Sequence, residues 1–223
     1  MTKDDQLILA ATEELEAQTW GVTQQFLAVH EIVYEEGRPK VARVDYDKKD
    51  GSVIIYFAVK GERFYFAFHF HNPGDLTSMG IYVEPYNAVY LVAVSDKLSL
   101  HELKAIALFN PLREGNKGEW KNRRPLVEKY SYIHIEPNPE ASAFGDKLEK
   151  LLDFLEQDRE GVERLVKDAG AYIQATIIFH NGNTMLGGPR VSMHSIKRMA
   201  LLSLEIDFDL YAEGNSFKED NED

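Results

Sequence analysis

The stretch that decides the fold is Ala171-Tyr172-Ile173-Gln174-Ala175-Thr176-Ile177-Ile178-Phe179-His180, then a polar glycine-rich segment over 181–190, a serine at 192, and finally Leu204-Glu205-Ile206-Asp207-Phe208-Asp209-Leu210-Tyr211. The first run is β-branched and apolar, bounded by Gly170 and Asn181-Gly182, as a buried strand requires. Ser192 can cap a helix before the chain turns into a last strand. In that strand Leu204, Ile206, Phe208 and Leu210 face one way, and Glu205, Asp207, Asp209 and Tyr211 face the other. The acids stand about 7 Å apart along it. Like charges at that spacing repel, so the row calls for full solvation, for Lys or Arg on a neighbouring strand, or for a basic partner.

Working towards the N-terminus, the same strand and helix alternation holds back to Asn87. Strands are expected over Ala88 to Val94 and Tyr130 to Ile135. Ser99-Leu100-His101-Glu102 is a capping box opening a helix that Asn110-Pro111 ends. A long helix starts at Gly145-Asp146, with Leu148, Leu151, Leu152 and Leu155 on one side, breaks near Gly161 and stops at Gly170.

Before Pro85-Tyr86-Asn87 the pattern is different. Asp4 or Asp5 caps a helix through Ala17, and successive strands follow over Gln25 to Tyr34, Lys40 to Tyr46, Ser52 to Val59, Glu62 to His71 and Gly80 to Glu84. A two-residue turn at Lys60-Gly61 would set Phe57 opposite Phe64 and Ile55 opposite Phe66, making one face apolar. The fold class is α+β: an N-terminal helix with an antiparallel meander over 1–86, then a strand–helix alternating α/β sandwich part over 87–212. Residues 213–223 form an acidic tail expected to be disordered. Strand Ala88 to Val94 could equally extend the first sheet and fuse the two parts into one composite domain.

Composition narrows the function classes. The chain has 223 residues and no cysteine, which excludes disulfides, thiolate metal sites and cysteine nucleophiles. Its 37 acidic and 25 basic residues give a net charge of −12; the tail holds five acids and one lysine, leaving −8 on the body. Such a charge repels nucleic acid and anionic lipid and favours a cationic partner. The start of the chain lacks the basic-then-apolar order of a signal peptide, giving the expectation of a cytoplasmic protein.

Candidate sites were weighed from residue types and spacing. His69 and His71 share one side of a strand and could hold a metal if His30, Asp75 or Glu84 supplied a third ligand; otherwise they are two imidazoles on a half-exposed sheet face. With Tyr56 and Tyr65 they outline an alternative metal-dependent enzyme or small-molecule binder. Asp45 to Gly51 departs from a calcium loop because Lys49 takes a ligand position, so it reads as a hairpin turn. The segment 181–189 has the setting of a phosphate cradle but lacks its Gly-Lys-Ser/Thr, and Lys117 to Arg124 reads as a solvated basic loop. Ser, His and Asp occupy no recognisable nucleophile setting. No cofactor is expected.

Between Ala88 and Ala212 the chain resembles a bacterial domain-of-unknown-function family. The resemblance rests on Val92-Ala93-Val94-Ser95-Asp96-Lys97-Leu98-Ser99-Leu100-His101-Glu102-Leu103, on Pro111 followed by Lys117-Gly118-Glu119, on Leu148 to Leu155, and on Ser192 through Leu210-Tyr211. These are patterns of strand, helix start and glycine position. The resemblance implies no assigned enzymatic activity and a place among toxin–immunity genes. The leading expectation is therefore a non-catalytic immunity protein that covers a basic toxin surface with Glu205, Asp207, Asp209 and Tyr211. A structural or oligomerisation module is a further alternative.

Overall fold

The computed structural model describes residues 2–72, 74–76, 79–120, 127–182 and 188–217. The chain opens with α1 (Lys3–Ala17), whose N-cap is Thr2 and not an aspartate. Thr2 Oγ1 accepts from the Asp5 N–H, and the Thr2 N–H donates to Asp5 Oδ2 at 2.7 Å. Helix α2 (Gly21–Leu27) follows where a strand was expected. The helical turn seats Phe26 fully inside the core, its ring stacked 4.3 Å from Phe66, so tertiary burial overrides the local alternation.

A two-residue ladder, β1 (Tyr34–Glu35) with β2 (Arg38–Pro39), leads into the meander β3 (Val41–Asp45), β4 (Val53–Ala58), β5 (Tyr65–Phe70) and β6 (Met79–Glu84). Its buried face packs Ile55, Phe57, Phe66, Phe68 and Phe70 against Leu7, Ala11, Leu15 and Phe26. The β4/β5 pair is one step of two away from the expected register: Ile55 lies opposite Phe68 and Phe57 opposite Phe66. The connection runs from Val59 to Phe64, longer than a two-residue turn, because Val59 bridges to Ile32 and Phe64 turns into the core. A slip of two keeps every side chain on its face.

The chain leaves this sheet at Pro85. Strand β7 (Tyr86–Ser95) belongs to a second, five-stranded sheet with β8 (Arg113–Gly115), β9 (Ser131–Ile135), β10 (Tyr172–His180) and β11 (Ile206–Glu213), in the order β11-β10-β7-β9-β8. It therefore does not extend the meander. Only β11 runs parallel to its neighbour, β10; the other pairs are antiparallel.

Helices α3 (Leu100–Ile106), α4 (Phe144–Leu155), α5 (Arg159–Ala169) and α6 (Met193–Leu201) cover one face of that sheet. The Ser99/Glu102 capping box and the Ser192 cap are present as the sequence indicates. The break between α4 and α5 comes earlier than Gly161, at the single 3-10 turn Glu156–Asp158, because the Asp158 carboxylate caps the Gly161 N–H at 3.0 Å. Gly170 ends α5 with φ 54°, a conformation that a Cβ disfavours.

The two sheets are fastened in two places. Asp45 is fully buried between Arg43 and Lys48, each 2.9 Å away. Arg43 reaches on to the Ala141 carbonyl, and Lys48 to Asp146 on α4. The second fastening is the end of the chain. The first residues of the tail are ordered, contrary to expectation: Glu213 closes β11, Gly214 packs against Phe64, and Phe217 joins the meander core. Residues 218–223 lie outside the described residues.

Candidate functional site

The acidic row lies on β11, the outermost strand of the second sheet. Glu205, Asp207 and Asp209 are exposed, and so is the Tyr211 ring. Their cross-strand neighbours supply no charge: Asp207 stands beside Gln174, Asp209 beside Thr176 and Tyr211 beside Ile178. Among the described residues, none of the three acids makes an ion pair. The Asp207 carboxylate bonds locally, the Phe208 N–H donating to its Oδ1 at 2.9 Å, and Gln174 Nε2 donates to the Asp207 carbonyl at 3.4 Å. Glu213, further along, is paired with Arg63.

The acids border the open face of the second sheet. Alternation places Ile173, Ala175, Ile177, Val89, Leu91, Ala93, Ile133 and Ile135 in the helix-covered core. Among the described residues no helix covers the opposite face, which is rich in tyrosine: Tyr172 on β10, Tyr86 and Tyr90 on β7, Tyr132 with His134 on β9, and Arg113 on β8. Register sets Gln174 opposite Tyr90, and Val92 opposite His134. The His134 ring stacks on Tyr90 at 5.0 Å and lies 5.2 Å from Tyr132. A shallow groove of about 450 Å³ runs over these side chains, and a narrower cleft of about 130 Å³ opens beside it between Arg63, Tyr86, Tyr90, Arg113 and Glu136. The signal in the sequence is parity: Tyr86 and Tyr90, Tyr132 and His134, and Tyr172 and Gln174 each stand an even number of positions apart within one strand, and so share a face.

Electrostatics follow from this placement. Burial, and then Arg113, push the His134 imidazole below its ordinary pKa. Burial, with Asp207 and then Tyr90 and Asp209 nearby, raises the Tyr172 phenol. Burial raises Glu136 although Lys147 lies 3.6 Å away. The face is thus stacked aromatic surface with a positive end at Arg113 and a negative edge on β11. Large, rigid aromatic side chains flanked by charge are the composition that protein interfaces favour.

The histidines are arranged otherwise. His69 lies on β5 with its Nε2 3.0 Å from Glu84 Oε1 and its ring 4.6 Å from Tyr82. Of the proposed third ligands, Glu84 is therefore adjacent. His71 falls beyond the end of β5 and is exposed. His30 is elsewhere, buried with its Nε2 2.8 Å from His180 Nε2. No group of three metal-ligating side chains occurs among the described residues. The face behind His69 is also less open than expected, since Ile54, Tyr56 and Ala67 are covered by Ala141. The glycine-rich segment and the basic loop fall largely outside the described residues, at 183–187 and 121–126. No helix among the described residues is long and apolar enough to cross a membrane.

Comparison with known proteins gives one finding. Residues 84–213, the last residue of β6 and the whole second sheet with its helices, match a family described as a domain of unknown function, DUF4279. No curated protein and no solved structure matches the chain. With more than half of its length matched, the chain belongs to the DUF4279 family.

Proposed function

We propose that this protein is a non-catalytic binding protein, an immunity protein that neutralises a basic toxin by docking the β11 edge and the adjoining tyrosine face onto it. The observation that carries the reading is the row Glu205, Asp207 and Asp209, exposed and without a cation partner among the described residues, next to an uncovered aromatic face. Unpaired carboxylates gain Coulomb energy only from a partner, and complementary charge raises association rate and selectivity. Tyr211 and Tyr172 supply the contact area that charge alone lacks.

The test is co-expression with the products of neighbouring genes, followed by association kinetics with the one whose toxicity is relieved. The triple variant Glu205→Lys, Asp207→Lys, Asp209→Lys should associate at least tenfold more slowly at low salt, with its salt dependence flattened. Equal rates for parent and variant across low and high salt would remove this surface from the binding site.

A further inference from the structure

Strand β11 offers more than charge, because one side of its backbone pairs with no other strand among the described residues. In a parallel ladder the residues that bond to the neighbour alternate. The Ile173 N–H donates to the Glu205 carbonyl at 2.9 Å, and the Asn181 N–H donates to the Glu213 carbonyl at 2.8 Å. The residues turned toward β10 are therefore Glu205, Asp207, Asp209, Tyr211 and Glu213. Those turned outward are Ile206, Phe208, Leu210 and Ala212, and among the described residues no strand lies beyond them in the sheet order. Eight residues of strand is a long edge to leave unpaired, compared with three in β8 at the opposite margin. Proteins usually blunt such an edge.

The blunting here is selective. Two copies of β11 pairing edge to edge would bring their aspartate rows together, and like charges across a strand pair are destabilising. The Phe208 N–H, one of the outward donors, is meanwhile occupied by the Asp207 carboxylate. A strand with lysine or arginine at alternate positions reverses both effects. Its cations fall opposite Asp207 and Asp209, and by drawing the Asp207 carboxylate toward themselves they free the Phe208 N–H for the new ladder.

We infer that β11 receives an extended basic segment of a partner protein by strand addition, pairing through the outward backbone groups of Ile206, Phe208, Leu210 and Ala212, with alternate Lys or Arg side chains set against Asp207 and Asp209. This inference rests on the reading of the acidic edge as a docking surface and specifies how the partner is held. Main-chain bonds supply affinity, and alternate side chains supply specificity.

The test uses the full chain and two synthetic peptides of equal charge. One alternates lysine with valine over nine residues; the other carries proline in place of each valine, so its alternate backbone positions cannot donate. Backbone amide exchange is followed by NMR. The lysine–valine peptide should slow exchange at Ile206, Phe208, Leu210 and Ala212 at least tenfold, and the proline peptide should bind at least tenfold more weakly. Equal binding of the two peptides with those amides unprotected would overturn strand addition while leaving the acidic docking surface intact. Absence of binding by both would overturn strand addition, and the surface would then stand or fall on the charge-reversal kinetics with the cognate partner. A parent protein that sediments as a dimer with the four amides already protected would show the edge occupied by a second copy and would also overturn the inference.

Discussion

Asp45 shows how a single residue can hold two halves of a chain together. It is fully buried, and its carboxylate is met by Arg43, Lys48, the Asp47 N–H and, at 3.4 Å, the Ser142 hydroxyl. Removing one member of a buried charged set leaves the others desolvated and unmatched, so Asp45→Ala should lower stability by about 3–5 kcal/mol, read as a fall in the urea midpoint. Lys147 makes a second case. It is 1 % exposed, donates to the Asn138 carbonyl at 2.8 Å, and burial pushes its pKa down to about 8. Between about 8 and the ordinary 10.5 the unfolded chain holds a proton that the folded chain has shed, so stability rises with pH across that window, by about 3 kcal/mol if nothing else titrates. Denaturant titrations of Lys147→Met at pH 8 and pH 10 should lack this rise. The single variant leaves Glu136 buried without a cation and should be destabilised at pH 7, whereas Lys147→Met with Glu136→Gln should recover to within about 1 kcal/mol of the parent.

Elements whose ends carry their own chemistry are those the sequence located best. The Ser99/Glu102 box and the Ser192 cap act over three residues, and the structure repeats both. Ser99→Ala and Ser192→Ala should each cost about 1 kcal/mol in thermal unfolding. Gly170→Ala should cost a similar amount, because the αL conformation at φ 54° sets Cβ against the carbonyl. Elements fixed by distant contacts were less legible. Helix α2 exists because Phe26 must reach Phe66, and nothing within residues 21–27 announces that partner. The β4/β5 register was displaced because Val59 pairs with Ile32, a residue 27 positions earlier. The faces survived that displacement since the strand period is two, and this is why the apolar core of the meander could be read correctly from a wrong turn.

At the scale of the whole molecule the end of the chain acts as a strap. The Asn215 carbonyl lies 2.9 Å from His180 Nε2 and 3.2 Å from His30 Nε2, its side-chain amide donates to the Val29 carbonyl, and Phe217 packs beside His180. Ending the chain after Glu213 should lower stability by about 3 kcal/mol, chiefly by removing the Phe217 ring, and should speed amide exchange in β4 and β5. Burial holds the His180 pKa below its ordinary 6.5. The unfolded chain therefore takes up the proton first, and this contribution to stability is complete above pH 6.5 and lost as pH falls through the folded pKa. Unfolding midpoints measured between pH 7 and pH 5 should fall less steeply in His180→Asn than in the parent. The sequence by itself determined the α+β class, the change of pattern at Pro85, the Ser99 and Ser192 caps and the two faces of the last strand, because periodicity and capping act over a few residues. Only the tertiary structure decided that the acidic strand lies at a sheet edge beside neutral neighbours, that the tyrosines of three separate strands share one face, and that His30 meets His180 instead of His69. Those facts depend on sheet order and on contacts such as that of His30 with His180, 150 positions apart, which no local pattern encodes.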